Sequence, residues 1–155
     1  MPWQTKKLGE ICKIRMGETL IKRDLTGDGI PVYSADSLER PWGFTSKNRL
    51  IFDFGTIIVG ARGTIGSVKL PTDKQFTSTQ TTIAIKPKNN NILSQFLFYF
   101  LKKFDFSELK EPGSIPMLTV TKISQIQIPL PPLPIQQKIV KVLDTIQSAI
   151  EIQEK

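Results

Sequence analysis

The stretch "IQIPLPPLPIQQKIVKVLD", Ile126 to Asp144, constrains the fold more than any other. It places four of the chain's eleven prolines between positions 129 and 134 and then starts a helical apolar pattern without a break. Proline fixes its own φ and has no N–H, so Pro129, Pro131, Pro132 and Pro134 hold the backbone extended and offer no ladder hydrogen bonds. The reading is a semi-rigid strap over 129–134. Beyond it Ile135, Ile139, Val142, Ile146 and Ala149 recur at intervals of four, three, four and three, with Leu143 and Ile150 alongside. That is the seam of a helix over 135–155 that needs a second helix to cover it. The helix can fold back onto its own domain, or stand off the body and pair with another chain. A stiff spacer favours the second arrangement.

Residues 1–128 read as one mixed α/β domain. Over 6–15, Leu8, Ile11, Cys12 and Ile14 fall near helical spacing and Gly17 follows as a stop, which predicts a short helix. A strand is expected at Ile30–Ser34, then exposed loop to Trp42. Two β-rich runs, Thr56–Val59 and Ile65–Leu70, flank Gly60, Ala61, Arg62 and Gly63, so a hairpin with Arg62 at its tip is predicted. "FTSTQTTIAIKP" reads as loop passing into a strand that stops at Pro87. Ile92–Phe104 is apolar nearly all round and predicts a buried helix. A loop, a helical turn at Thr121–Ser124 and a strand at Ile126–Ile128 lead to the strap.

Composition removes several functions. With no histidine and Cys12 as the sole cysteine, the usual zinc sites, His-based triads and intramolecular disulfides are excluded. No phosphate-binding Gly-Lys-Ser/Thr loop and no Asn/Asp-Pro-Pro-Tyr/Phe methyltransferase signature is present. No cofactor and no metal are expected, and the chain reads as a non-enzyme. No apolar run approaches the roughly 20 residues of a membrane span, and the first residues lack a secretory signal, so a cytoplasmic protein is expected. A net charge of +7 favours a polyanionic partner.

Several landmarks together resemble the target-recognition half of type I restriction-modification specificity subunits. They are "KLGEIC" near the start, "RGTIG" at Arg62–Gly66, Gln80, and the closing run from Gly113 through Leu118 and Ile123 into "IQIPLPPLPIQQKIVKVLD". The resemblance implies a non-catalytic DNA-reading subunit that binds double-stranded DNA and an adenine-methylating subunit and, in full systems, a restriction subunit. It also implies the fold, a mixed-sheet α/β (α+β) recognition domain followed by a coiled-coil helix. Members of that family usually carry two recognition domains, so a single domain and helix resemble a half subunit. Two such chains pairing their helices around a two-fold axis would form a homodimer reading a palindromic two-part site. The alternative is a helix-pairing partner or decoy that occupies the methyltransferase or a full-length specificity subunit without directing modification.

Base reading calls on Arg, Asn and Gln, and phosphate contact on Lys, Ser and Thr. Three polar loops carry them. The first offers Lys22 and Arg23, the second Lys47, Asn48 and Arg49, and the third Lys74, Gln75, Thr77, Ser78, Thr79 and Gln80. Arg62 and Lys69 join from the hairpin. Against each stands the plainer role of a solvated surface charge or, for Gln80 and the threonines, strand-edge hydrogen bonding.

Overall fold

Alternation in two neighbouring strands builds the central layer. In β6 (Ile57–Gly60) Ile57 and Val59 join one buried cluster and Ile58 the other, and in β9 (Thr82–Pro87) Ile83 and Ile85 join the first and Ala84 the second. Successive side chains of a strand point to opposite faces, so this sheet is covered on both sides. β9 lies between β6 and β2 (Cys12–Met16), and β7 (Val68–Lys69) pairs with the other edge of β6, all antiparallel. The computed structural model describes residues 3–109 and 117–154.

A second four-stranded sheet covers one face, in the order β4 (Gly43–Thr45), β3 (Ile30–Tyr33), β8 (Gln75–Ser78) and β5 (Phe52–Asp53). β3 and β8 run parallel and the other pairs antiparallel, so the sheet is mixed. Tyr33 and Phe76 meet edge to face with centroids 5.5 Å apart, and with Ile58 and Ala84 they cement the two sheets.

The main core fills the other face. α1 (Leu8–Ile11) contributes Leu8, α2 (Ser94–Lys103) Phe96, Leu97 and Leu101, and α3 (Val120–Ser124) Ile123, all buried against Ile57, Val59, Ile83 and Ile85. Each such side chain contributes about 1.5–3 kcal/mol through burial. β1 (Gln4–Lys7) and β10 (Gln127–Leu130) pair antiparallel as a separate ribbon. α4 (Leu133–Glu154) follows, 22 residues long. The architecture is the expected one, mixed α/β sheets and a long C-terminal helix. No helix among the described residues is long and apolar enough to cross a membrane.

Four local expectations change. The helix over 6–15 shrinks to the single turn of α1, because Cys12 to Met16 pair residue for residue with Pro87 back to Ile83 and so adopt a two-residue repeat. Gly17 is no helix stop; the chain passes there so close to the β8–β9 turn that a Cβ would lie 2.1 Å from the Thr79 carbonyl oxygen. The start of "FTSTQTTIAIKP" is strand rather than loop, since β8 is hydrogen-bonded on both sides. α2 is amphipathic, not apolar all round: Phe98, Tyr99 and Phe100 are half-buried, and the Lys102 ammonium lies 5.0 Å from the Phe98 ring centroid.

The proline strap is shorter than its prolines suggest. Pro129 pairs with Thr5 inside β10, while Leu133 and Pro134 already belong to the first turn of α4, where a missing N–H costs nothing. Pro131 and Pro132 alone lie between. α4 then runs beside α2 in the same direction, with Ile139 and Val140 against the core. Tyr99 donates to Asp144. Burial and the neighbouring Asp144 and Glu151 charges push the Tyr99 phenol up to about 12, so it stays a donor. From Asp144 to Gln153 every side chain is exposed. Val142, Ile146 and Ile152 are 58%, 50% and 73% exposed, so the seam is uncovered along its second half. The expected loop around Gly113 lies outside the described residues.

Candidate nucleic-acid interface

The β8–β9 turn organises one end of the molecule. Gly17 and Glu18 cross it through hydrogen bonds from Gly17 N–H to Thr82 O (3.1 Å) and from Glu18 N–H to Ser78 O (2.9 Å). The Glu18 carboxylate then accepts from the Arg49 amide at 2.8 Å, the Leu50 amide at 3.3 Å and the Thr77 hydroxyl at 2.7 Å. One acidic side chain thus fastens the 45–50 loop against the turn. Gln80 fastens a second loop, its Oε1 accepting from the Leu20 amide at 3.1 Å.

Next to Leu20 a 3-10 turn at Lys22–Asp24 carries the first basic pair. Asp24 accepts from the Ile21 amide at 2.8 Å, and the Thr45 hydroxyl donates to the Asp24 carbonyl at 2.7 Å, joining this turn to the 45–50 loop. Arg62 arrives from a third direction, its amide donating to Thr81 O at 3.1 Å. The glycines after it take positive φ, +75° at Gly63 and +83° at Gly66, a region costly for other residues. The hairpin of β6 and β7 is present, with Arg62 exposed in its connection.

The fold therefore brings Lys22, Arg23, Lys47, Arg49, Arg62 and Gln80 around one turn. The five cations are exposed, and none pairs with a carboxylate among the described residues. Asn48 sits among them, but its amide donates to Leu50 O at 3.3 Å and so holds its own loop. Exposed Ile21, Trp42 and Phe44 lie on neighbouring segments. The arrangement offers positive charge, forked donors and apolar surface, the elements that grip phosphate and touch base edges.

Other expected contacts lie elsewhere. Lys74 and Gln75 are exposed but open β8 at its far end, about 16 Å along the strand from Gln80. Thr77, Ser78 and Thr79 are buried, because β8 is covered and their hydroxyls face inward partners. Thr77 binds Glu18, Ser78 accepts from the Thr82 hydroxyl at 2.8 Å, and Thr79 and Thr81 share a 2.7 Å hydrogen bond. Lys69 is 8% exposed and donates to Ser34 O at 2.8 Å and to Asp36 at 2.5 Å. These four side chains serve the interior, which corrects their assignment as surface contacts.

Glu18 was not anticipated, nor were Lys13 and Arg15, exposed on β2. Their alternation with buried Cys12 and half-buried Ile14 was the available signal, masked by the helical reading of the same residues.

The family model of the type I restriction modification DNA specificity domain matches residues 1–155. A putative type I restriction enzyme specificity subunit of Haemophilus influenzae is 25% identical over 153 residues, covering 92% of this chain and 40% of that one. A putative type I specificity subunit of Mycoplasma pneumoniae is 30% identical over 152 residues, covering 92% of this chain and 60% of that one. Among solved structures, a chain from a study of complex assembly and conformational transition of the type I R-M system superposes with a TM-score of 0.81 at 25% identity. The match covers 99% of this chain and 40% of that one. The HsdS subunit of Thermoanaerobacter tengcongensis shares the fold, with a TM-score of 0.75 at 24% identity over 98% of this chain and 39% of that one. The chain thus spans roughly two fifths to three fifths of these relatives' lengths.

Proposed function

We propose, on the premise that the chain belongs to the family of type I restriction modification DNA specificity domains, that it is a non-catalytic subunit giving an adenine methyltransferase its DNA sequence. The observation that carries this reading is the convergence of five exposed, unpaired cations from three distant segments on the β8–β9 turn. In the assembled complex Arg23, Arg49 and Arg62 reach base edges while Lys22 and Lys47 hold phosphates, and Gln80, its Oε1 held by the Leu20 amide, offers only its Nε2. Lys74 and Gln75 flank this surface at the other end of β8.

The uncovered seam of α4 supports a second half of the proposal, that two copies pair through Val142, Ile146, Ala149 and Ile150. Exposed isoleucines at this spacing lose little by waiting for a partner and gain burial when one arrives. A helix of 22 residues is about 33 Å long, close to the rise of one DNA turn, so antiparallel pairing sets two reading ends on successive turns. The proposed domains are a recognition unit that closes with β10, a link shortened from the expected 129–134 to Pro131 and Pro132, and α4 as the pairing and methyltransferase-docking helix. A restriction subunit joins in systems that also cleave, and the complex acts in the cytoplasm.

The test is a genome-wide map of N6-methyladenine with and without the gene. Loss of one palindromic two-part motif is expected. Loss of an asymmetric motif would reject the homodimer in favour of pairing with a different specificity subunit. An unchanged map would reject the directing role and leave a partner-occupying decoy, which needs the seam but not the cations.

A further inference from the structure

We propose that the cationic edge of the central sheet, Lys13 and Arg15 on β2 with Lys88 just past β9, is a second DNA contact that takes the phosphodiester backbone. It rests on the DNA-reading function above and extends it along the side of the domain.

β2 is an edge strand. Its Cys12 and Ile14 turn into the main core, which puts Lys13 and Arg15 on the opposite face, both exposed. The register sets Lys13 directly across from Lys86 on β9. Two like charges at opposed positions work against pairing of the strands, so a sheet selected for stability alone avoids them. Lys86 is partly neutralised, its ammonium lying 3.2 Å from an Asp53 carboxylate oxygen and 2.6 Å from the Phe54 carbonyl oxygen. Lys13 and Arg15 have no carboxylate partner among the described residues. Lys88 caps backbone only, 3.3 Å from Gly9 O. Together these cations line a groove of about 360 Å³ whose other wall is Ile51, Phe52 and Asp53, the last paired with Lys86.

A local breach of a pairing rule on an exposed face marks a place where function has outweighed stability. Lysine on an edge strand also discourages edge-to-edge aggregation. That role is filled by any charge and does not call for an opposing ammonium on the neighbouring strand. Residues two apart on a strand lie roughly 6.6 Å apart on one face, comparable with the spacing of successive phosphates along a nucleic-acid strand. Position decides between DNA and an acidic protein segment. β2 runs through Gly17 straight into Glu18, whose carboxylate is already taken up by the Arg49 and Leu50 amides and the Thr77 hydroxyl, so the cations of the edge adjoin the reading end.

The experiment uses the full chain and its Lys13→Gln/Arg15→Gln double variant, titrated with a short random-sequence duplex over a range of salt. Both side chains are exposed, and removing the like-charge opposition leaves folding intact, which circular dichroism checks. The slope of log affinity against log salt is expected to flatten by about 1.8 in the variant, equivalent to a salt penalty about tenfold smaller for a fourfold rise in salt. The rank order of specific sequences stays the same. If the wild-type chain binds duplex DNA and the variant keeps its slope, the phosphate assignment is wrong while the reading function stands. If in addition a polyglutamate peptide is retained by the wild type and lost by the variant, the edge is a dock for acidic protein. A wild-type chain that binds no duplex DNA overturns the function and this contact together.

Discussion

Replacing Gln136 with leucine should loosen the root of α4 and cost more stability than its position in a helix suggests. The side chain is fully buried, and both its N–H groups and its carbonyl oxygen are hydrogen-bonded. Oε1 accepts from the Leu93 amide at 2.9 Å, and Nε2 donates to Asn91 O at 2.9 Å and Pro131 O at 2.8 Å. One glutamine thereby ties together the start of α2, the loop before it and the last turn before α4. Leucine matches the volume but leaves one N–H and two carbonyls without partners. An unpartnered buried polar group costs about 1–3 kcal/mol, and the two more peripheral groups recover water, so the sum is on the order of 2–5 kcal/mol. For a chain of this length that corresponds to a fall in Tm on the order of 5–15 °C. Urea and thermal unfolding followed by circular dichroism measure it, and hydrogen exchange across α4 shows whether the loss is local. A Gln136→Leu chain within about 0.5 kcal/mol of wild type would refute the reasoning. It would mean that the packing of Ile139 and Val140 alone fixes the helix.

Lys69→Met removes a buried cation that serves Ser34 and Asp36. Asp36 is partly exposed, so water screens the loss, and about 1–2 kcal/mol of stability should go. The salt slope of DNA binding should not change; a slope flattened by about one unit would make Lys69 a phosphate contact after all. Burial pushes the Cys12 thiol from its ordinary 9.0 up to about 12, with Lys88 opposing. The folded chain keeps the neutral thiol while the unfolded chain ionises. Its contribution is therefore complete below pH 9.0 and is lost as pH rises toward about 12, at up to ~1.4 kcal/mol per pH unit. The stability gap between wild type and Cys12→Ala should narrow over that window, and a constant gap would show that the thiol is not protected.

The long helix and the hairpin around Arg62 were legible because each rests on local pattern, whereas the mixed sheet came only from the family resemblance. Ile135, Ile139, Val142 and Ile146 carry the helical period in the chain itself, and Gly63 and Gly66 announce backbone that only glycine adopts readily. β2 was not legible in this way. Leu8, Ile11, Cys12 and Ile14 fit a helix nearly as well as a turn followed by a strand, and the choice is made by five ladder positions on β9, some seventy residues away. The parallel pairing of β3 with β8 is equally remote from anything local.

The polar residues raise a sharper difficulty. "FTSTQTT" has the composition of an exposed loop, yet Thr77, Ser78, Thr79 and Thr82 are buried, because a closed set of hydroxyl hydrogen bonds reaching to Glu18 and Ser34 satisfies each of them. Burying such a group unpaired would cost several times what pairing gains, so the threonines go inside only because all their partners arrive together. The lysines divide by the same rule. Lys69 finds Asp36 and a carbonyl and becomes part of the interior, Lys86 finds Asp53 and is half-spent, and Lys13, Arg15, Arg49 and Arg62 find no carboxylate among the described residues. In a chain with net charge +7 there are too few acids to go round, so some cations must stay unpaired. The fold decides where they sit: Lys22, Arg23, Lys47, Arg49 and Arg62 gather around one turn and Lys13, Arg15 and Lys88 along one sheet edge, while others such as Lys74, Lys102, Lys103, Lys138 and Lys141 are spread over the rest of the surface. Local clusters of charge set the surface potential more than the total charge does, and clustering depends on tertiary partners that no window of sequence contains.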